Sequence, residues 1–522
     1  MHVFAASAVA EDKPSGDNTA AQGVRLRLAW LAIQFLAAAT ISGLATDMPP
    51  PSDDKQIPRL EQMVAEAGRA TAAYLNDAER QQLMTMFRLA LTDTDRQLLM
   101  AEDGTAYVKT GDIPAEWLRD SSAQVRPLLY FAGENKAIAN RVKAVIERQA
   151  MYIALDPYAN AFRDDFTVWE RKFELDSLSF PILLIWTYWK VTGDSTVFTP
   201  SVKMAFSRAL ETMLTEQDHD GVLPGHQRSG YHFKSDTQSS EKMPVGYTGM
   251  IWVAFRPSDD ECLYNFPIPV EIQAVQALNA LAEMERFIGR RDTAKRAETL
   301  GEQVKAGIEQ YGIVDTPDYG RVYAYEVDGL GHANLMDDAN IPSLLSIPYF
   351  GYVSEIDEIY MATRRFILSS SNPYFYEGTF KGEKISGIGS PHTPAGMIWP
   401  LAQEMQGMTT NQKDEQIRVL RMLLASDPGD HQPHESYAAN NPEHFTRKDF
   451  GWAKAQFAEF VLRSVLDRTP LPVPPKLSSA SLATEIAPPS KIDVRTRRRL
   501  KLGNSDRVTE LKGRTETAGY GS

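Results

Sequence analysis

At 522 residues the chain is long enough for two or three average domains, although a large helical toroid reaches this size as one domain. The composition, 43% hydrophobic and 24% charged, is that of an ordinary globular protein. A net charge of −13 argues against nucleic acid as a partner and favours an uncharged substrate. The single cysteine, Cys262, excludes an intramolecular disulfide and cysteine-based metal sites, and its neighbours favour a packed thiol over a nucleophile.

Residues 1–55 are interpreted as a leader. Arg25 and Arg27 precede an apolar run at 28–44, and the prolines at 49–51 follow it, an order that resembles a signal peptide or a short signal anchor. We therefore expect a secreted, periplasmic or membrane-anchored protein, tethered in the last case through residues 28–44. A buried helix in a cytoplasmic protein, or a misassigned start, is the alternative.

Helical periodicity recurs along residues 56–468. Apolar residues repeat at three- and four-residue spacing in eight segments, at 60–74, 137–154, 175–191, 202–214, 270–288, 356–368, 417–424 and 450–465. Strand-like alternation is scarce, and long loops rich in Gly, Pro, Asp and Ser separate the helices. The pattern predicts an all-α catalytic domain of paired helices, for which an (α/α)6 toroid is the natural architecture.

The C-terminal residues 469–522 have a different composition. A Pro-rich stretch at 469–476 leads into Ser/Ala/Thr-rich chain and a basic run at 495–501. Because few apolar residues are present to offset the entropy of ordering, we interpret this segment as a disordered tail.

The first of four loops that combine acids, aromatics and Gly or Pro covers residues 111–124. Sugars offer hydroxyls to carboxylates and flat C–H faces to aromatic rings, so Arg119 and Asp120 would grip adjacent hydroxyls beside Trp117. A structural Arg–Asp pair at a helix start, with Asp120 or Ser121 as the N-cap, is the alternative.

The second loop, at 255–267, contains three consecutive acids, Asp259, Asp260 and Glu261. Like charges so close together tend to raise the pKa of one carboxyl group and keep it protonated near neutral pH, as a general acid requires. The alternative is that Ser258 and Asp259 cap the helix that follows.

In the third loop, at 431–437, Glu435 lies between His434 and Ser436 and is a candidate base for activating water, with a surface turn as the alternative.

The fourth element combines Asp337 and Asp338 with residues 387–393. Two adjacent carboxylates would suit calcium, but no EF-hand spacing follows, so no metal is predicted. The aromatic stretch at 186–189 is interpreted as helix packing rather than a sugar platform.

Seven short motifs follow one another between residues 60 and 466: Trp-Leu-Arg-Asp-Ser-Ser at 117–122, Phe-Glu-Leu-Asp-Ser at 173–177, Arg-Pro-Ser-Asp-Asp at 256–260, Asp-Asp-Ala-Asn-Ile-Pro-Ser-Leu at 337–344, Gly-Ile-Gly-Ser-Pro-His-Thr at 387–393, His-Glu-Ser at 434–436 and Phe-Gly-Trp-Ala at 450–453. As a set they resemble glycoside hydrolase family 125. The resemblance implies an (α/α)6 barrel, no metal or other cofactor, and exo-hydrolysis of terminal α-1,6-linked mannose from a mannose-containing glycan, with inversion.

Carried over residue by residue, the resemblance places the general acid within 256–260 and the general base at Glu435. Asp259 is preferred to Asp260, because in related toroids the acid is the first residue of such a pair. The residues expected to bind the sugar are Trp117, Arg119, Asp120, Arg256, His392 and His434. Departures from the family pattern at 269–271 and at Lys454 put the reach of the substrate in question, more than the reaction.

The implied mechanism is a single displacement. Asp259 or Asp260 protonates the glycosidic oxygen while Glu435 takes a proton from water, with the two carboxyl groups about 6.5–9.5 Å apart to leave room for that water. The alternatives are another (α/α)6 enzyme, such as a glucoamylase-like hydrolase, a phosphorylase or a lyase, and a catalytically silent glycan-binding protein.

Overall fold

A computed structural model describes residues 57–233 and 244–475. The predicted leader, including the apolar run at 28–44, lies outside the described residues, as does the tail from residue 476 onwards. Among the helices of the described part, none is long and apolar enough to span a bilayer.

Thirteen α-helices lie within the described residues: α1 Leu60–Ala70, α2 Asp77–Arg96, α3 Leu118–Val125, α4 Leu129–Ala132, α5 Lys136–Leu155, α6 Asp176–Thr192, α7 Pro200–Glu216, α8 Ile268–Phe287, α9 Arg291–Tyr311, α10 Glu358–Ile367, α11 Pro400–Met408, α12 Lys413–Ala425 and α13 Gly451–Phe460. Several begin at a side-chain cap. Asn76 and Glu79 form a reciprocal capping box at the start of α2, and Thr199 caps α7 ahead of Pro200.

The helices form two concentric rings. In the inner ring, α3 packs against α6, α6 against α8, α11 against α13, and α13 against α3, while the 3₁₀ turn Leu344–Ser346 joins α8 to α11. The outer helices α2, α5, α7, α9, α10 and α12 alternate with the inner members along the chain. This closed double ring is the (α/α)6 toroid that the helical periodicity predicts.

Burial differs between the rings. Every residue of α3, α11 and α13 is buried, because these helices are covered on all sides by neighbouring helices. The outer helices bury one stripe only: in α9 the buried residues are small or aliphatic and recur at helical spacing, among them Ala294, Ala297, Leu300 and Val304. The main core therefore lies between the two rings and within the inner one.

Over residues 57–233 and 244–475, fifteen short strands form six small antiparallel sheets in the loops: β1 Leu98–Met100, β2 Ala106–Val108, β3 Glu116–Trp117, β4 Ala161–Phe162, β5 Val168–Glu170, β6 Phe266–Pro267, β7 Ile313–Thr316, β8 Gly320–Tyr323, β9 Glu326–Val327, β10 Ala333–Asn334, β11 Phe375–Phe380, β12 Glu383–Ile388, β13 Met397–Ile398, β14 Ser436–Ala438 and β15 Asn441–Thr446. The three-stranded sheets are β3-β4-β5, β10-β9-β6 and β13-β14-β15. One strand of each leads directly into an inner helix, which fixes the loops at that end of the ring.

The observed order extends past the predicted domain boundary at residue 468. Leu471 is buried in the main core, and Pro472, Val473 and Pro474 line a small cavity with Phe180 and Phe350. Residues 471–474, which the prediction assigns to the tail, therefore pack against the domain through one buried leucine. The remainder of the predicted tail lies outside the described residues.

Candidate active site

The motif-bearing loops converge because each precedes a member of the inner ring. Residues 110–117 lead into α3, 173–175 into α6, 256–267 into α8, 389–399 into α11 and 434–450 into α13. Residues from four of these segments, all but 173–175, line a cavity of about 480 Å³, a volume that includes its open mouth. Six of the predicted residues line it: Trp117, Arg119, Asp120, Asp259, His392 and Glu435.

Arg119 is the buried cation of one cavity wall. Its Nη1 donates to Glu174 at 2.8 Å and to Asp176 at 3.3 Å, and its Nη2 donates to Asp259 at 3.2 Å. Its Nε lies 3.2 Å from an oxygen of Asp120. The Arg119–Asp120 pair exists, but α3 has Trp117 as its N-cap and no side-chain cap, so the capping alternative for Asp120 or Ser121 is wrong. Arg119 instead organises four carboxyl groups around one positive charge.

Asp259 and Glu174 both contact this guanidinium, and their pKa values are shifted in opposite directions. Burial alone would raise the pKa of Asp259, but Arg119 and a hydrogen bond from Glu174 hold it well below its usual range. Burial raises the pKa of Glu174 well above its usual range, and the Asp259 charge adds to this rise. We therefore expect Glu174 to be protonated and to donate a hydrogen bond to an ionised Asp259. The expectation of a raised pKa is wrong for Asp259, because Arg119 stabilises its charge.

Asp260 is directed to the other side of the loop. It accepts from the Ser258 hydroxyl at 3.2 Å, and one of its oxygens lies 3.2 Å from Nδ1 of His392. Burial opposes the charging of His392, but Asp260 outweighs it and raises the histidine pKa to about 9. His392 is therefore a cation at neutral pH. Residues 255–261 form a tight turn, with Asp259 at a φ of 66°, and α8 begins only at Ile268, so the helix-capping alternative is wrong here as well.

Glu435 lines another wall of the same cavity and lies directly before β14. It is 5% exposed, and burial raises its pKa above the usual value, an effect opposed by Arg447. The Arg447 Nε lies 3.2 Å from a Glu435 oxygen. Because Ser436 pairs with Thr446 in the β14–β15 ladder, the register places Arg447 beside Glu435. Residues 434–437 are buried and lead into β14, so the surface-turn alternative is wrong.

Two predicted sugar ligands lie behind the cavity wall. Arg256 is engaged by Glu326 through two hydrogen bonds of 2.6 and 2.8 Å, which leaves it as a buried brace of the 256–260 loop. His434 stacks on Phe445 with ring centroids 3.8 Å apart, and its Nδ1 lies 3.0 Å from the Lys448 carbonyl oxygen. Both side chains are committed to protein partners, so the structure does not bring them to the cavity.

The fourth predicted element supports the cavity through backbone contacts. Both oxygens of Asp337 accept backbone N–H groups, from Leu344 and Leu345, and Asp338 accepts from Asn340. Burial raises the pKa of Asp337 well above its usual range and raises that of Asp338. The part of the chain that the structure describes holds no cluster of three or more His, Cys, Asp or Glu suited to a metal ion. Trp186 and Tyr188 are buried in the core, in agreement with the packing interpretation of 186–189.

Several cavity residues escaped the sequence analysis as individuals: Asn340, Trp399, Arg447 and Phe450. Asn340 and Phe450 belong to quoted motifs, so the motif set pointed to them without a role. Trp399 could have been suspected as an aromatic directly before Pro400 at a helix start. Arg447 carries no local signal, because its contact with Glu435 is made across a strand pair.

Solved helical toroids share this architecture. A bacterial glucoamylase solved with acarbose is 12% identical and matches 80% of this chain and 58% of its own, with a TM-score of 0.52. The glucoamylase of Hormoconis resinae is 12% identical over 76% of this chain and 77% of its own, with a TM-score of 0.50. At these identities the likeness shows the fold alone, that of the (α/α)6 glycosidases, and the predicted fold class is confirmed.

Closer relatives settle the family. A profile of the metal-independent α-mannosidases (GH125) matches residues 80–462, and the chain belongs to that family. A metal-independent α-mannosidase of Streptococcus pneumoniae, solved in a non-productive complex with α-1,6-mannobiose, is 37% identical, covers 78% of this chain and 98% of its own, and has a TM-score of 0.71. The meiotically up-regulated gene 157 protein of Schizosaccharomyces pombe is 38% identical over 401 residues, 70% of this chain and 77% of its own. The predicted family and the reaction class, an inverting glycoside hydrolase, are confirmed.

Proposed function

We propose that this α-mannosidase removes non-reducing terminal mannose from α-1,6-linked glycans, with Glu435 as the general base and Asp259 as the residue that delivers the proton. The observation that carries the proposal is that Asp259 and Glu435 line one cavity, each beside its own arginine. The α-1,6 linkage is favoured by the mannobiose bound to the Streptococcus pneumoniae relative.

In this mechanism the cavity holds the terminal mannose between the two walls. The proton held by the Glu174–Asp259 pair moves through Asp259 to the glycosidic oxygen as the bond to the anomeric carbon breaks. Glu435 takes a proton from the water that attacks the opposite face. A base whose pKa is raised towards the working pH accepts that proton more readily, which suits the burial of Glu435.

Two buried polar atoms favour a sugar as the occupant. Among the described residues, Trp117 Nε1 and Oδ2 of Asp120 have no hydrogen-bond partner, although both belong to residues that line the cavity. This Asp120 oxygen is the one that lies 3.2 Å from Nε of Arg119, in an ion pair without a hydrogen bond. A donor and an acceptor of this kind fit two ring hydroxyls. Arg119 and His392 supply positive charge beside them, and Trp399 offers an aromatic wall.

The test uses α-1,2-, α-1,3- and α-1,6-linked mannobiose with the purified chain. Rapid release of mannose from the 1,6 isomer is expected, and proton NMR should show β-mannose as the first-formed anomer. Preferred cleavage of another linkage would contradict the proposed substrate, and α-mannose as the first product would contradict the single displacement.

A further inference from the structure

Arg447 is the cation nearest to Glu435, and it occupies a strained position. It lies directly after β15 with a φ of 33°, in the left-handed region that non-glycine residues rarely adopt. A residue persists there only when its surroundings over-determine its conformation, and such residues cluster at functional sites. Its side chain is 36% exposed, whereas that of Glu435 is 7% exposed, so the pair spans the boundary between solvent and the cavity.

The guanidinium also reaches the loop before α3. Its Nη1 donates to an oxygen of Asp112 at 3.3 Å, while its Nε faces Glu435. The backbones of the two loops are locked together beneath this contact: Asp112 N–H donates to the Asp449 carbonyl, and Gly451 N–H donates to Thr110. Gly111 permits this approach, because a Cβ there would lie 2.5 Å from the Asp449 carbonyl oxygen. The backbone hydrogen bonds between the two loops therefore fix the positions of Asp112 and Arg447 relative to each other.

We infer that Arg447 is a positioning residue for the general base: it pins one oxygen of Glu435 from the cavity mouth, leaves the other for the attacking water, and is itself held by Asp112. The inference rests on the proposed role of Glu435. Thr446 hydrogen bonds to the same carboxylate, and His392 is the second cation that faces it. Asp112 is the opposing negative charge at the mouth, and Asp120 faces Arg447 from α3.

The expected consequence is a defined acid limb for kcat/KM, which reports protonation of the base in the free enzyme. Arg447 favours the ionised form of Glu435, so its removal should allow protonation at higher pH. In Arg447→Gln the acid limb should therefore move to higher pH by about one unit or more. Arg447→Lys, which keeps the charge but not the planar fork, should move it less. Asp112→Asn removes both the opposing charge and the group that holds Arg447, two effects of opposite sign, so its limb should move less than that of Arg447→Gln.

The experiment measures mannose release from α-1,6-mannobiose across the pH range for these variants. Arg296→Gln is the matched control, because it neutralises an arginine of similar exposure in an ion pair with Glu211 on the outer helices, and its limb should equal that of the unmodified chain. Melting temperatures check that each variant is folded.

The outcomes separate the two assignments. An acid limb that stays in place in Arg447→Gln, while Glu435→Gln is inactive, overturns the role of Arg447 and leaves Glu435 as the base. Near-normal turnover in Glu435→Gln overturns the base itself. If Arg447→Gln is too slow for a profile, Arg447→Lys decides: a limb moved to higher pH supports the inference, and an unmoved limb overturns it.

Discussion

The two walls of the cavity differ in the number of carboxyl groups that contact each arginine. On the Asp259 wall, Arg119 faces Glu174, Asp176, Asp120 and Asp259, so one buried cation serves four acids. The Glu435 wall has one buried carboxylate in contact with one arginine at the mouth. A wall with more acids than cations must retain protons when it is buried, whereas a paired carboxylate stays ionised. The difference equips the first wall to donate a proton and the second to accept one.

The acids around Arg119 have different pKa values, because each has different surroundings. Burial raises the pKa of Glu174 well above its usual range and that of Asp176 to about 6, each against the pull of Arg119. Asp259 alone of these three lines the cavity, and its charge is stabilised by Arg119. We therefore expect the proton on Glu174, which lies behind Asp259, the residue that would deliver it.

The largest effect is expected from the replacement of Glu435, the proposed general base. Glu435→Gln keeps the shape of the side chain and should bind sugar, but the amide has no useful basicity, so turnover of α-1,6-mannobiose should fall by about 10²–10⁴-fold. Steady-state kinetics and calorimetric titration with mannose check the two parts. Near-normal turnover in a folded variant would show that the base lies elsewhere.

The next prediction asks which aspartate delivers the proton on the other wall. Asp259→Asn should severely impair hydrolysis of mannobiose but lose much less on a dinitrophenyl α-mannoside, whose good leaving group departs without protonation. Asp260→Asn is the matched control: Asp260 orients His392, so both substrates should slow by similar factors. Selectivity in Asp260→Asn instead would exchange the two roles. Without selectivity in either variant, Asp120 and Asp176 become the candidates.

The fold and the loops that form the site could be predicted from the sequence. An outer helix exposes one face to solvent, so its buried apolar residues repeat at helical spacing. Two helices of each ring were not predicted: α3 and α11 of the inner ring, and α2 and α9 of the outer ring. The inner helices α3 and α11 are buried on every side, so their sequences show no one-sided apolar stripe. In α9 four of the seven buried residues are Ala or Gly, which weakens the apolar pattern. The strands were missed because most of them are two to four residues long.

The site was predictable as a set of motifs but not as a network of contacts. Each motif lies before or at the start of an element of the inner ring, and this topology brings distant segments together. Spacing along the chain does not encode that Arg119 would meet Glu174, or that Arg256 would be taken by Glu326. The pKa expectation for Asp259 failed for the same reason: three consecutive acids suggest repulsion, but the deciding charge is an arginine 140 residues away.

A smaller effect is expected from Glu174, which tests the stored proton directly. The Gln amide in Glu174→Gln still donates to Asp259 but has no proton to transfer, so hydrolysis of mannobiose should slow by about 10- to 100-fold, below the full general-acid contribution. In the unmodified chain the pair keeps its proton to high pH because burial raises the pKa of Glu174. Asp259 alone beside Arg119 loses its proton at lower pH, so the alkaline limb of kcat/KM should move to lower pH.

Asp176→Asn is the control for this shift, because Asp176 contacts the same guanidinium nitrogen as Glu174. Its replacement should change the alkaline limb less than Glu174→Gln does. Equal shifts in both variants would indicate a general effect of charge around Arg119 rather than a proton held by the Glu174–Asp259 pair.

The smallest expected effect is that of a chelator. On both walls the cation in contact with the reacting carboxylate is an arginine, Arg119 for Asp259 and Arg447 for Glu435. The adjacent acids Asp337 and Asp338 already use oxygens to accept backbone N–H groups, and burial favours their neutral forms, which are poor cation ligands. Incubation with EDTA should therefore leave the rate and both pH limbs unchanged. Loss of activity that calcium restores would contradict this and would make Asp337 and Asp338 the first ligands to test, by substitution of each with Asn.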